Sequence, residues 1–327
     1  MQRVYLDQNK WIDLLAVTKG KHANGSLADV LRFIAAGVSH GQLSFPLSST
    51  HYMEVSFRRD WASRRDLANL MAVISRFHAI APRVAILPDE VDCVLRSIFG
   101  RPVRVRSPCV FGYGILHSVL CERWPDELER SDLRAQLSQL ASFPPGSAER
   151  EAVELALLEG PKPEDEPLLP GYNPLATRIH GDLWAKSRED TRATRKAEGW
   201  VSGERSERLA LAETLAHERV FWERVSAAGV APEEIFARGR DGLTDLVRQI
   251  PMMDVICELG RLRDTADCRP FSANDLADVG FLGPAIVYCD VVVTERQWAD
   301  HAKRAKLDEK YQTKVIHDLR DLLPLLV

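Results

Sequence analysis

The stretch that decides the fold is Met1-Gln-Arg-Val-Tyr-Leu-Asp-Gln-Asn-Lys-Trp-Ile12. Val4, Tyr5 and Leu6 have the β-branched and aromatic character of a buried strand. Asn9 is placed to cap a helix whose apolar positions Trp11, Leu14 and Leu15 follow at helical spacing. Asp7 then closes a strand at its carboxyl end, where ligands bind in open α/β sheets. Taken alone, Asp7 reads first as a turn or cap residue and only second as a chemical group.

The pattern continues outward from this strand. Leu27, Val30, Leu31 and Ile34 predict a helix over 27–38, and Gln42 to Leu47 alternates as a second strand. Ser48-Ser-Thr50 caps a helix running through Glu54 towards Phe77. This βαβα order is that of a parallel sheet covered by helices, and a right-handed crossover sets the second strand end beside the first. Asp7 and Glu54 can then converge.

From about Pro82 the pattern loosens: a strand at Val84–Leu87, a helix at Glu90–Phe99, an extended segment over 101–106, and helices at 133–140 and 148–158. Pro161 to Pro167 reads as a linker, and a long helical region spans 175–228, broken near Gly199 and Gly203. Trp184, Leu209, Leu215, Phe221 and Trp222 are its expected core contacts. A helix follows from Pro251. Asp275 and Asp278 open an apolar segment in which Gly280, Gly283 and Pro284 disfavour a helix. Asp290-Val-Val-Val-Thr-Glu295 is a continuous apolar run expected as a central parallel strand. A helix at 298–305, a short strand at 314–316 and an apolar end at 319–326 complete the chain.

Composition bounds the function loosely. The chain of 327 residues carries 43 Lys and Arg against 47 Asp and Glu, so attraction to nucleic acid would need a local basic patch. Six cysteines lack paired metal-ligand spacing, and the amino end does not resemble a signal peptide. No apolar run approaches the roughly 18 residues that span a bilayer. The expectation is a cytoplasmic protein with reduced thiols and no membrane partner. A P-loop, an H-E-x-x-H helix and a G-x-S-x-G elbow are all missing from the sequence.

Acids therefore stand at two strand ends near the amino terminus and at one near the carboxyl terminus. Clustered carboxylates repel one another unless a hard divalent cation compensates them, and Mg²⁺ or Mn²⁺ in such a place can activate water for phosphodiester hydrolysis. Tyr5-Leu-Asp-Gln-Asn9 with Trp11-Ile12, Ser48 to Glu54, Asp278, and Asp290-Val-Val-Val-Thr-Glu295 together resemble the motifs of the PIN-domain nucleases. The resemblance implies an α/β fold: a PIN-like parallel sheet flanked by helices, made by residues 1–80 and 250–327 as a discontinuous catalytic domain. Residues 81–249 then form a large, mostly helical insertion of unassigned role.

Carried over residue by residue, the resemblance makes Asp7, Glu54, Asp278 and Glu295 the catalytic and metal-holding acids, with Asn9 and Thr294 orienting them. Asp278 is preferred to Asp275 because sixteen residues separate it from Thr294, the family's helix-plus-strand spacing. The fourth acid departs from the pattern. Arg296 stands where the family often has Asp, so Glu295 is taken, with Asp290 as the alternative.

The implied activity is Mg²⁺- or Mn²⁺-dependent hydrolysis of nucleic acid, with single-stranded RNA favoured over duplex DNA by the resemblance alone. It also brings the prospect of a regulatory or antitoxin-like protein partner, and a homodimer stays open. Candidate phosphate contacts are Lys186, Arg188, Arg192, Arg195 and Lys196 on one helix and Arg104 and Arg106 on an extended segment; a solvated, salt-bridged surface is the competing account. Trp200 is a candidate base-stacking residue and His51 a candidate phosphate donor, each against a packing or capping role. Two rival functions remain. One is a PIN-like binding or regulatory module with a decayed active site. The other is a haloacid-dehalogenase-type phosphohydrolase, disfavoured because position 9 is Asn where a second Asp is needed.

Overall fold

The computed structural model describes all residues except 22–24, 101–106, 121–139, 141, 161–173, 200–218, 266–269, 271 and 326–327. The first half contains β1 (Gln2–Leu6), α1 (Gln8–Thr18), α2 (Ser26–Ser39), β2 (Leu43–Ser44), α3 (Ser49–Ser56), α4 (Trp61–Ser75), β3 (His78–Ile80) and α5 (Arg83–Phe99). There follow β4 (Phe111–Tyr113), α6 (Gly114–Leu120), α7 (Ala148–Glu159), α8 (Pro174–Ala197), α9 (Arg219–Ala227), α10 (Pro232–Phe236) and α11 (Gly239–Arg248). The last part holds α12 (Pro251–Thr265), α13 (Ala273–Tyr288), β5 (Val291–Val293), α14 (Arg296–Arg304), α15 (Leu307–Tyr311) and β6 (Lys314–Ile316), then a 3-10 turn over Leu319–Leu325.

The architecture is α/β. Four strands form a parallel sheet in the order β2-β1-β5-β6, so the first strand of the chain lies beside one that begins at Val291. Val4 pairs with Val291, Tyr5 with Val292 and Leu6 with Val293. Successive side chains on a strand point to opposite faces. Val4, Leu6, Val291 and Val293 accordingly enter one core with Trp11, Leu14 and Phe45, whereas Tyr5, Val292 and Val315 enter a second with Leu87, Ile286 and Trp298. Both faces of the sheet are thus covered by helices, which is why these strands read as unbroken apolar runs.

Several local expectations change. The cap of α1 is Asp7, not Asn9: the Gln8 amide donates to Asp7 Oδ1 at 2.7 Å. The helix expected from Ser48 to Phe77 is two helices. Phe57 ends α3, and Asp60 caps α4 by accepting the Ser63 amide. Residues 84–87 belong to helix α5 rather than to a strand. A short apolar run fits either element, and here Ile86, Leu87, Val91, Val94 and Leu95 are buried at helical spacing. Strand β2 keeps only two paired residues, and Leu47 instead bridges Ala79. Residue 80, where the sequence suggested a domain boundary, ends β3, which pairs antiparallel with β4.

Helix α13 runs unbroken through Gly280, Gly283 and Pro284. At Gly283 a Cβ would lie 3.2 Å from Ile256 Cγ1, so the missing side chain lets α12 and α13 pack closely. Phe221 is buried and Trp222 packs beside it; Leu209, Leu215, Trp200, the 133–139 segment, the 161–167 linker and the Trp184 side chain lie outside the described residues. Cys257 and Cys289 are buried free thiols, but Cys93 and Cys109 are exposed. Among the described residues no helix is long and apolar enough to cross a membrane.

Candidate active site

At the carboxyl end of β1 the backbone leaves the sheet with the Asp7 amide donating to Val293 O at 2.9 Å. The Asp7 carboxylate is held on both oxygens: Oδ1 accepts the Gln8 amide, and Oδ2 accepts Thr294 Oγ1 at 3.1 Å. Thr294 directly follows β5, so the two central strands are tied together at the edge where both end. Beyond Thr294, Glu295 caps α14, and its Oε1 accepts Asn9 Nδ2 at 2.6 Å from the first turn of α1.

Helix α3 is locked to the same edge by His51. Its Nδ1 accepts the Ser48 amide at 2.9 Å, and its Nε2 donates to Leu6 O at 2.8 Å. Burial pushes the imidazole down to about 4 against the hydrogen bond to Leu6, so the ring is neutral with Nε2 protonated. His51 is a cap and a tether, with no nitrogen left to give to a phosphate. One turn on, Glu54 reaches the edge, and its carboxylate accepts no hydrogen bond among the described residues.

Asp275 and Asp278 separate cleanly. Asp275 is 1% exposed, accepts the Ser272 amide and hydroxyl at 2.8 Å, and lies 3.5 Å from the buried Arg263. That is a helix-starting role. Asp278, one turn later, lines the cleft, and its Oδ2 accepts the Trp298 indole N–H at 2.9 Å. This indole is the site residue that sequence reasoning missed: it stands twenty residues from Asp278 in the chain and carries no local signal of the contact.

Asp7, Glu54 and Asp278, with Tyr5, Gln8 and Phe281, face a cleft of about 270 Å³ of free space, its open mouth included. Buried Gln8 Oε1 meets no donor among the described residues. The electrostatics of the cleft are those of like charges out of water. Burial, then Asp7 and Glu295, pushes Glu54 up to about 8. Burial, then Asp7, also raises Asp278, with Glu54 and Glu295 adding to the rise and the Trp298 indole opposing it. Asp7 is raised by burial against the Gln8 amide, Thr294 and Lys10. Such a cluster holds protons at neutral pH unless a cation enters it.

The donor set is all hard oxygen, which suits Mg²⁺ or Mn²⁺ over softer metals. Among the described residues, however, no three His, Cys, Asp or Glu side chains stand close enough to hold a metal by themselves. The residues therefore suit a cation that keeps several waters and is gripped by one or two carboxylates, the usual mode for Mg²⁺, and not a closed protein cage.

Other candidates lie elsewhere. Asp290 is exposed at the start of β5, the opposite end of the strand from Thr294, and accepts the Arg3 amide at 2.6 Å. It is a strand-start residue, which corrects the alternative assignment of the fourth acid. On α8, Arg188 pairs with Asp264 at 3.3 Å and Arg192 with Glu189 at 3.0 Å, while Lys186 and Lys196 are exposed. Arg188 and Arg192 thus follow the salt-bridged reading. Arg104, Arg106 and the Arg195 side chain lie outside the described residues. No protein-family model, curated protein or solved structure matches the chain.

Proposed function

We propose that the chain is a PIN-like, Mg²⁺- or Mn²⁺-dependent nuclease that hydrolyses phosphodiester bonds, with single-stranded RNA as its preferred substrate class. One observation carries this reading: Asp7, Glu54 and Asp278 line one cleft and Glu295 acts on the same charges, although they come from opposite ends of the chain. A polyanionic cleft with raised carboxyl pKa values is a poor place for a phosphate until its charge is compensated. A bound divalent cation would supply that compensation and the activation of water.

The chain's own residues do the rest. Asp7, Glu54 and Asp278 would hold the cation, one or two of them directly and the rest through its bound waters, and Glu295 would complete the charge. Thr294 and Gln8 N fix Asp7, Asn9 fixes Glu295, and Trp298 fixes Asp278, so three of the four acids are oriented before any ligand arrives. Such outer contacts are what metal sites use to set ligand direction. Glu54 has no fixing partner among the described residues, and its carboxyl, raised to about 8 as that of Asp278 is, would give up its proton when the cation binds.

A second reading, a PIN-like binding or regulatory module with a decayed site, is favoured by one specific feature, the lack of a described three-ligand group. Asp7→Asn keeps the size of the side chain and removes its charge. Cleavage of a labelled single-stranded RNA in Mn²⁺ should fall by at least about a hundredfold in the variant, with an unchanged thermal transition. Equal cleavage by both proteins overturns the nuclease reading. Mn²⁺ binding that does not depend on Asp7, in a protein without cleavage, favours the decayed module.

A further inference from the structure

A cleft lined by acids repels the strand it would cut, so cations beside it must hold the flanking phosphates. The α8 basic helix serves poorly, since Arg188 and Arg192 are paired. The corner between α3 and α4, Phe57-Arg-Arg-Asp-Trp-Ala-Ser-Arg-Arg65, is different. It begins where α3 ends, three residues beyond Glu54.

Three of its guanidinium groups have no carboxylate partner among the described residues. Arg59 and Arg65 are exposed and make no side-chain bond. Arg58 gives one nitrogen to Ser63 Oγ at 2.8 Å, and its buried Nε finds no acceptor. The nearby acids are engaged, Asp60 in capping α4 and Asp66 with Lys19 at 2.7 Å. The fourth arginine sets the shape. Arg64, 6% exposed, donates through Nε and Nη2 to Arg58 O at 3.1 and 2.7 Å and pins the turn. Phe57 adds an aromatic face that is 39% exposed. Cations without carboxylate partners, next in the chain to an exposed ring, are what a single strand uses, phosphates on the arginines and a base on the ring.

We propose that the α3–α4 corner is the entry platform for a single-stranded nucleic acid, with Arg58, Arg59 and Arg65 on its phosphates and Phe57 stacked on a base. The proposal rests on the nuclease reading of the cleft, but its test does not use cleavage. The salt dependence of binding is measured with a fluorescent 20-nucleotide single-stranded RNA in EDTA. Removing one phosphate-neutralising cation lowers the slope of log K against log salt by about 0.7.

Arg59→Ala/Arg65→Ala should therefore lower the slope by about 1.4 and weaken binding on the order of tenfold at low salt. Both residues are exposed, so the thermal transition should not move. Phe57→Ala should weaken binding at least about fivefold with the slope unchanged, the mark of stacking. Lys186→Ala/Lys196→Ala should change neither quantity.

An unchanged slope in the double arginine variant, or no binding by the unaltered protein at low salt, overturns the platform. Displacement of the RNA by poly-glutamate as readily as by unlabelled RNA also overturns it, and assigns the corner to an acidic polypeptide. The nuclease reading stands or falls separately, on cleavage by Asp7→Asn. A slope that falls as expected in a protein that never cleaves keeps the platform and removes the hydrolysis.

Discussion

Glu154 and Glu54 are two glutamates on neighbouring helices treated in opposite ways. Glu154, on α7, has no exposed surface and is fully partnered. Arg150 Nε and Nη2 both reach its Oε1 at 2.8 Å, the Ile115 amide donates to Oε2 at 2.8 Å, and Tyr52 lies at 3.4 Å. The packing is close enough that Gly114, at φ +73°, leaves no room for a side chain: a Cβ there would meet Glu154 Oε1 at 2.0 Å. Burial raises the Glu154 carboxyl while Arg150 and the Ile115 amide pull it back, and the short contact with Arg150 is the arrangement of an ionised pair. Glu54 is partly buried, with no donor and no cation among the described residues, beside Asp7, Asp278 and Glu295. A buried acid with partners is scaffold. An acid without them among the described residues, at a strand edge beside other acids, keeps its proton to a higher pH than a free glutamate.

The largest expected effect breaks the scaffold side of this contrast. Glu154→Gln leaves Arg150 buried without its counter-charge, which should cost about 3–5 kcal/mol in denaturant-induced unfolding. Glu54→Gln should do the reverse in metal-free protein at pH 8 and raise stability by on the order of 1–2 kcal/mol, because it removes a repelled charge. Equal destabilisation of both variants would erase the distinction.

The next effect is the pH dependence of Glu54. Its carboxyl is raised from 4.5 to about 8, so its contribution to stability is fully present below about 4.5 and is lost as pH rises through about 8. Metal-free protein should therefore lose stability between pH 5 and 8. Glu54→Gln should reduce that slope, leaving the part that the raised Asp278 carries, and Mn²⁺ should raise the thermal transition more at pH 8 than at pH 6, because binding displaces protons. A slope that Glu54→Gln leaves untouched would place the titration in other groups. The smallest effect sharpens the orientation of the site. Trp298→Phe removes the donor to Asp278, should cost about 1 kcal/mol, and should weaken Mn²⁺ binding about tenfold, measured by calorimetry.

Much of this was legible in the chain because it is local. Strand β1, helix α2, the late strands at Val291–Val293 and Lys314–Ile316, and the polar residues at the strand ends follow from apolar periodicity and from capping chemistry within a few residues. The misreadings have physical causes. Residues 84–87 are apolar and β-branched enough for a strand, but the periodic burial of the whole of α5 makes them a helix. Gly280, Gly283 and Pro284 oppose a helix intrinsically, yet the close contact of α12 and α13 more than offsets that cost. Asp7 proved to be both the cap that a local reading favours and the corner of the cleft that a distant one requires.

The sequence by itself determined that Asp7 and Thr294 would stand at strand ends and that a helix would start after Ser48, since a strand's period of two and a cap's reach of three residues are written in neighbouring positions. Only the tertiary structure decided how the acids are used. Glu295 is held by Asn9 from 286 residues away, Asp278 by Trp298 and Asp7 by Thr294, whereas Asp290 is turned to the opposite end of its strand. Of the four acids, Glu54 is the one without a donor among the described residues. Hydrogen-bond partners, burial and the raised carboxyl pKa values depend on distances between segments far apart in the chain, and residue order encodes those distances only through the whole packed fold.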